Sequence, residues 1–197
     1  GTNTINDYFD HKSGNDEVNQ EFVRPFSGGS RVIQLGFLTP IEALLGGLFF
    51  FLLSALIGFY LAWARGPLIL GLGAIGLVSG MFYTVGPFNW AKRGLGEILV
   101  GLNFGVLMTL GAYYVQTQSL SWVPVIAAIP VSLLIAAVLY INEFPDYIAD
   151  KKVGKNTLVV RLGREKAAIL YALIMMGVYL ALGVGVAVGV LPMATLL

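Results

Sequence analysis

Cysteine is absent from the 197 residues. That excludes a disulfide framework, a thiolate metal site and a cysteine nucleophile. Histidine occurs once, at position 11, so a metal centre here would have to rely on oxygen ligands. Charge is scarce as well: 12% of the residues are Asp, Glu, Lys or Arg, against roughly 25% in an average soluble domain. Hydrophobic residues make up 57%, more apolar surface than a soluble sphere of this size can bury. A soluble enzyme and a nucleic-acid-binding domain are thereby excluded, which leaves an integral membrane protein. The 25 glycines follow no collagen-like period, and the net charge of +1 says nothing by its total.

What is present is long uncharged sequence. Such stretches run from Ala43 to Ala64, Gly66 to Ala91, Ile98 to Asn142 and Ala167 to Leu197. A helix crossing roughly 30 Å of hydrocarbon needs about 20 apolar residues. The third stretch therefore holds two helices, turning at Gln116 to Trp122. This predicts an all-α bundle with five spans, over about 40–64, 67–88, 96–115, 122–144 and 165–190, the fourth kinked at Pro130. The chain reads as one membrane domain, an internal segment of a longer protein. Residues 1–39 and 143–165 are motif-bearing connections, 40–142 hold four spans and 166–197 a further one. Of the 12 basic residues, only Arg65 falls on the side of the short links. The positive-inside rule then makes the other side, with both acidic motifs, cytoplasmic, in a multi-pass protein of the cell (inner) membrane.

Two acidic motifs carry the chemistry. In NDYFDHKSGND, Asn6 and Asp10 lie four apart with Asp7 beside them; in NEFPDYIADKKVGKNT, Asp146 and Asp150 repeat that spacing. Like charges about one helical turn apart repel, as Asp7 with Asp10 and Asp146 with Asp150 would, so the two motifs call for a cation. Oxygen-only donors suit Mg²⁺, Mn²⁺ or Ca²⁺ rather than zinc; of these, Mg²⁺ takes one or two carboxylates and fills its other positions with water and phosphate oxygens. With Arg24, Arg31, Lys92, Lys151 and Lys155 nearby in sequence, the motifs make a clamp for a diphosphate. Tyr83, next to a connection, either shields a cation with its ring or belongs to the interfacial aromatic belt. Glu97 either orders the site or favours a helix N-terminus; His11 reads as a solvated loop residue. Phe49, Phe50, Phe51, Tyr60 and Trp63 read as facing lipid or neighbouring helices.

These motifs, with RPFSGGSRVIQLG and YTVGPFNWAKRGLGE between them, resemble the UbiA superfamily of intramembrane aromatic prenyltransferases over essentially the whole chain. The family's NDxxDxxxD matches Asn6, Asp7 and Asp10 but meets Gly14 at its last position, where Asp16 could substitute; its DxxxD matches Asp146 and Asp150. That departure, with YTxGP and GLGE, resembles the 1,4-dihydroxy-2-naphthoate (menaquinone) branch more than the 4-hydroxybenzoate branch. The resemblance implies a fragment of a nine-helix ring around a cavity, holding the end of the second helix through the seventh. It implies Mg²⁺ held by Asn6, Asp7, Asp10, Asp16, Asp146 and Asp150, with Asp10, Asp146, Asp150 and Tyr83 catalytic. The partners are then a polyprenyl diphosphate, an aromatic acceptor and the lipid bilayer. A CDP-alcohol phosphotransferase lacks its signature here, and a cation transporter would want charge in mid-membrane.

Overall fold

The computed structural model describes residues 1–23 and 26–196. Its chain is helical from the start. Helix α1, Thr2–Ser13, stops at Gly14, whose φ of 74° no other residue adopts so readily. The one-turn α2, Asn15–Val18, follows at once. Helix α3, Pro40–Arg65, opens on a reciprocal cap in which Thr39 and Glu42 each bond the other's backbone N–H, with Pro40 beginning the helix.

Helix α4, Leu68–Met81, is shorter than its apolar run predicts. The expected span of 67–88 breaks at Phe82, where residues 82–89 turn towards the 3₁₀ turn Trp90–Arg93. Fourteen residues cover about 21 Å, less than the hydrocarbon thickness. Four helices, not five, are long and apolar enough to cross a membrane among the described residues. They are α3, α5 (Gly96–Thr117), α6 (Trp122–Lys152) and α8 (Arg164–Ala187). Helix α5 widens into one π-turn at Asn103–Leu107. Helix α6 runs unbroken through Pro130 and Pro145 and continues beyond the predicted end near 144. The short α7, Leu158–Leu162, is capped by the Thr157 side chain.

Small residues bring the helices together. A Cβ on Gly47 of α3 would collide with Ile5 of α1, and Ile5 is only 2% exposed. On α5, Gly101 and Gly105 form a small-xxx-small seam against α6: a Cβ on Gly101 would lie 2.7 Å from the Ser132 carbonyl, and one on Gly105 would strike the Ser132 side chain. Tyr140, Val159 and Ala167 form the buried core shared by α6, α7 and α8. Outward, Phe49, Tyr60 and Trp63 are exposed, as expected of a lipid-facing helix, whereas Phe50 and Phe51 line a cavity.

Candidate active site

Because α6 continues past Pro145, Asp146 and Asp150 stand on a helix, one turn apart on one face. Opposite them, Asn15 and Asn19 repeat the same four-residue spacing along and just beyond α2. The rungs match: Asn15 Nδ2 donates to Asp150 at 3.1 Å and Asn19 Nδ2 to Asp146 at 2.7 Å. The loop after α2 closes the arrangement. Gly28 N–H donates to Asp146 at 3.4 Å, and the Ser30 hydroxyl donates to Asp7 at 2.6 Å. A side chain at Gly28 would run into Phe22, and both Gly28 and Gly29 have φ near 70–80°. The SGGS stretch is therefore the piece of chain that passes between the two acidic motifs.

Lys155 joins them. Its ammonium lies 3.5 Å from Asp10 and 3.7 Å from Asp150, with the side chain 17% exposed. Burial alone would lower the Lys155 pKa, but Asp10 and Asp150 outweigh it and raise it well above the ordinary value. Asp10 also accepts from Asn6 at 2.9 Å. Asp7 is pushed up by burial against the opposing Ser30 hydrogen bonds. Asp16, turned back by the bend at Gly14, is 4% exposed and accepts from Gln34 at 2.9 Å. Burial first, then the Asp10 charge, push Asp16 up to about 7, with Arg31 acting against them.

The remaining predicted residues divide. Lys92 lines a polar pocket of about 160 Å³ with Asp10, Lys12 and Lys155. Arg31 donates to the Asp16 carbonyl at 2.8 Å and stacks over Phe22 at 4.2 Å, leaving one buried terminal nitrogen unpaired. Lys151 is exposed, over the Tyr147 ring. Arg24 lies outside the described residues. His11 pairs with Glu17 at 2.7 Å on the surface. Tyr83 lines an apolar cavity of about 680 Å³ between α4 and α5, with Thr2, Ser79 and Asn103 among its few polar neighbours. Burial raises the Tyr83 pKa, and the Lys155 charge opposes that shift. Tyr83 thus links the polar cluster to the apolar space. A second cavity of about 590 Å³ lies between α3 and α4.

The donor set fits a hard divalent cation. Asn6, Asn15 and Asn19 each keep a buried side-chain oxygen without a partner, and these amide oxygens stand with the Asp carboxylates. Among the described residues no three acidic or imidazole groups converge into a preformed cage; amides, a hydroxyl and Lys155 hold them separately. Sequence reasoning missed Asn15, Asn19, Gly28, Ser30 and Gln34. Only the four-residue echo between Asn15–Asn19 and Asp146–Asp150 could have pointed to the first two.

Comparison with known proteins points to one family. The model of the UbiA prenyltransferase family matches residues 1–197. The chain is 36% identical over 197 residues to a 1,4-dihydroxy-2-naphthoate octaprenyltransferase of Haemophilus influenzae, covering 95% of this chain and 62% of that one. It is 33% identical over 171 residues to the enzyme of that name from Mycobacterium tuberculosis, covering 87% and 56%. A 2-carboxy-1,4-naphthoquinone phytyltransferase of Synechocystis is 30% identical over 197 residues, covering 99% and 61%. The chain thus spans less than two thirds of the length of these curated relatives. No solved structure matches it.

Proposed function

The chain belongs to the UbiA prenyltransferase family, and from that premise we propose that it carries the diphosphate-binding end of an enzyme that prenylates 1,4-dihydroxy-2-naphthoate from a polyprenyl diphosphate. The observation that carries this reading is the meeting of two Asp-bearing helices at Lys155, close to an apolar cavity lined by Tyr83. A diphosphate needs cations and a prenyl tail needs a dry wall; this arrangement offers both side by side.

Asn6, Asp7, Asp10, Asp16, Asp146 and Asp150 are the residues that would hold Mg²⁺. When bound, Mg²⁺ supplies neutralisation of the phosphate charge. Lys155 and Lys92 face the 160 Å³ polar pocket and bind phosphate oxygens there. As the allylic C–O bond breaks, its electron pair leaves with the diphosphate, and these ammonium groups stabilise the departing charge. The apolar cavity keeps water from the allylic cation, and the Tyr83 ring offers it a π face. The electron-rich acceptor ring then attacks, and the naphthoate loses carbon dioxide. The connections bearing both motifs face the cytoplasm in this reading, and the tail extends into lipid.

The test is to supply membranes containing the full-length protein with one polyprenyl diphosphate and both naphthoate and hydroxybenzoate acceptors. The expected product is a prenylated naphthoquinol without its carboxylate, formed with Mg²⁺ and lost on chelation with EDTA. A prenylated hydroxybenzoate would sink the acceptor assignment, and EDTA-resistant transfer would sink the metal.

A further inference from the structure

Two carboxyl groups absent from the mechanism above lie buried together. Glu97, at the start of α5, is 3% exposed, and Glu143, on α6 one turn before Asp146 and Tyr147, is 8% exposed. Glu97 Oε1 accepts from the Leu158 N–H at 3.0 Å, across a gap of 61 residues. The Glu143 carboxyl neighbours that of Glu97, and Oε2 of each has no partner and no solvent. No cation pairs with either among the described residues. Two bare carboxylates this deeply buried would repel without compensation. One proton shared by the two carboxyls would satisfy both groups at once. The hydroxyl of Tyr140, which is fully enclosed, is also unpartnered within electrostatic range of the pair; Tyr83, Asp150 and Lys155 are the other ionisable neighbours.

Glu97 touches a particular place. The segment from Val153 to Thr157 leaves α6, delivers Lys155 and enters α7 at Leu158. Along it, Lys155 N–H donates to the Asp150 carbonyl at 2.8 Å and Asn156 N–H to the Lys92 carbonyl at 3.2 Å. Glu97 fastens its far end to α5. We propose that Glu143 is a positioning residue: protonated, it donates to Glu97, and the pair ties this segment to α5 so that Lys155 stays between Asp10 and Asp150. The consequence for catalysis rests on the reading of Lys155 as a diphosphate ligand; the shared proton does not.

Infrared spectroscopy of the purified protein in H₂O and D₂O tests the proton directly. The carbonyl stretch of a buried carboxylic acid is expected in the wild type and lost in Glu143→Gln; its absence from the wild type would overturn the proposal whatever the activity. Kinetics test the positioning. Glu143→Gln keeps a donor towards Glu97 and should hold the KM for polyprenyl diphosphate within about twofold, whereas Glu143→Leu should raise it roughly tenfold. In a Lys155→Ala background the Glu143→Leu effect should disappear. Equal damage from Gln and Leu, or full additivity with Lys155→Ala, would show that the pair does not act through Lys155. Where Glu143→Leu does not accumulate in membranes, the infrared band and the Gln variant decide the question.

Discussion

Asp10 and Asp146 occupy opposite halves of the cluster and have different partners. Asp10 faces Lys155 and Asn6; Asp146 accepts from an amide and a backbone N–H. Changing either to Asn keeps the shape and removes the charge, and at position 146 it can also set one amide nitrogen against that of Asn19. Each substitution is expected to lower prenyl transfer at least about a hundredfold, the scale of losing one preorganised electrostatic contact. Product formed per unit of membrane-inserted protein is the measurement. Near-wild-type turnover at saturating Mg²⁺ would remove that carboxylate from the mechanism. Gly14 and Asp16 work together at this scale: the left-handed glycine ends α1, and Asp16 comes back into electrostatic contact with Asp7 and Asp10.

Among the helices, spacing does most of the organising. Helix α6 is long enough to act both as a membrane span and as the carrier of the second acidic motif. Its register is what allows Asn15 and Asn19 to meet Asp150 and Asp146 in turn. The crossing of α5 with α6 depends on glycine at 101 and 105. Gly105→Ala should therefore push the helices apart and cost about 1–3 kcal/mol, the usual range for overpacking. Gly71→Ala on α4, where an added Cβ meets nothing within 4 Å, should be neutral or slightly stabilising. Thermal unfolding in detergent compares the two, and equal melting temperatures would refute the tight crossing.

For the molecule as a whole, charge asymmetry predicts which face meets the cytoplasm. The absence of cysteine makes this easy to test with single introduced cysteines. Asn156→Cys, in the Lys155 segment, should react with a membrane-impermeant maleimide only from the cytoplasmic side. Ser119→Cys, in the turn between α5 and α6, should react only from the other. Labelling of both from one side would overturn the topology. The fold class and the number of long spans to within one are legible in the sequence, because apolar run length is a local property; the sequence places both acidic motifs in connections, and the structure carries them on helices α1 and α6 instead. The break in α4 at Phe82 was not legible: the apolar composition continues through it, and hydropathy does not register a turn.

The sequence by itself determined that this chain is an all-helical membrane protein; it also predicts that the ionisable groups gather at one face and that Asp10, Asp146 and Asp150 belong to one chemistry. Composition and short-range spacing carry that much, since lipid tolerates few charges and a helical turn puts residues four apart together. Only the tertiary structure decided the partners. It placed Lys155 between the motifs, ran SGGS from Asp7 to Asp146, set Asn15 and Asn19 against the second motif, and buried Glu97 against Glu143. Those contacts join residues tens to more than a hundred positions apart in the chain, and such distances come from how helices pack, which no local pattern records.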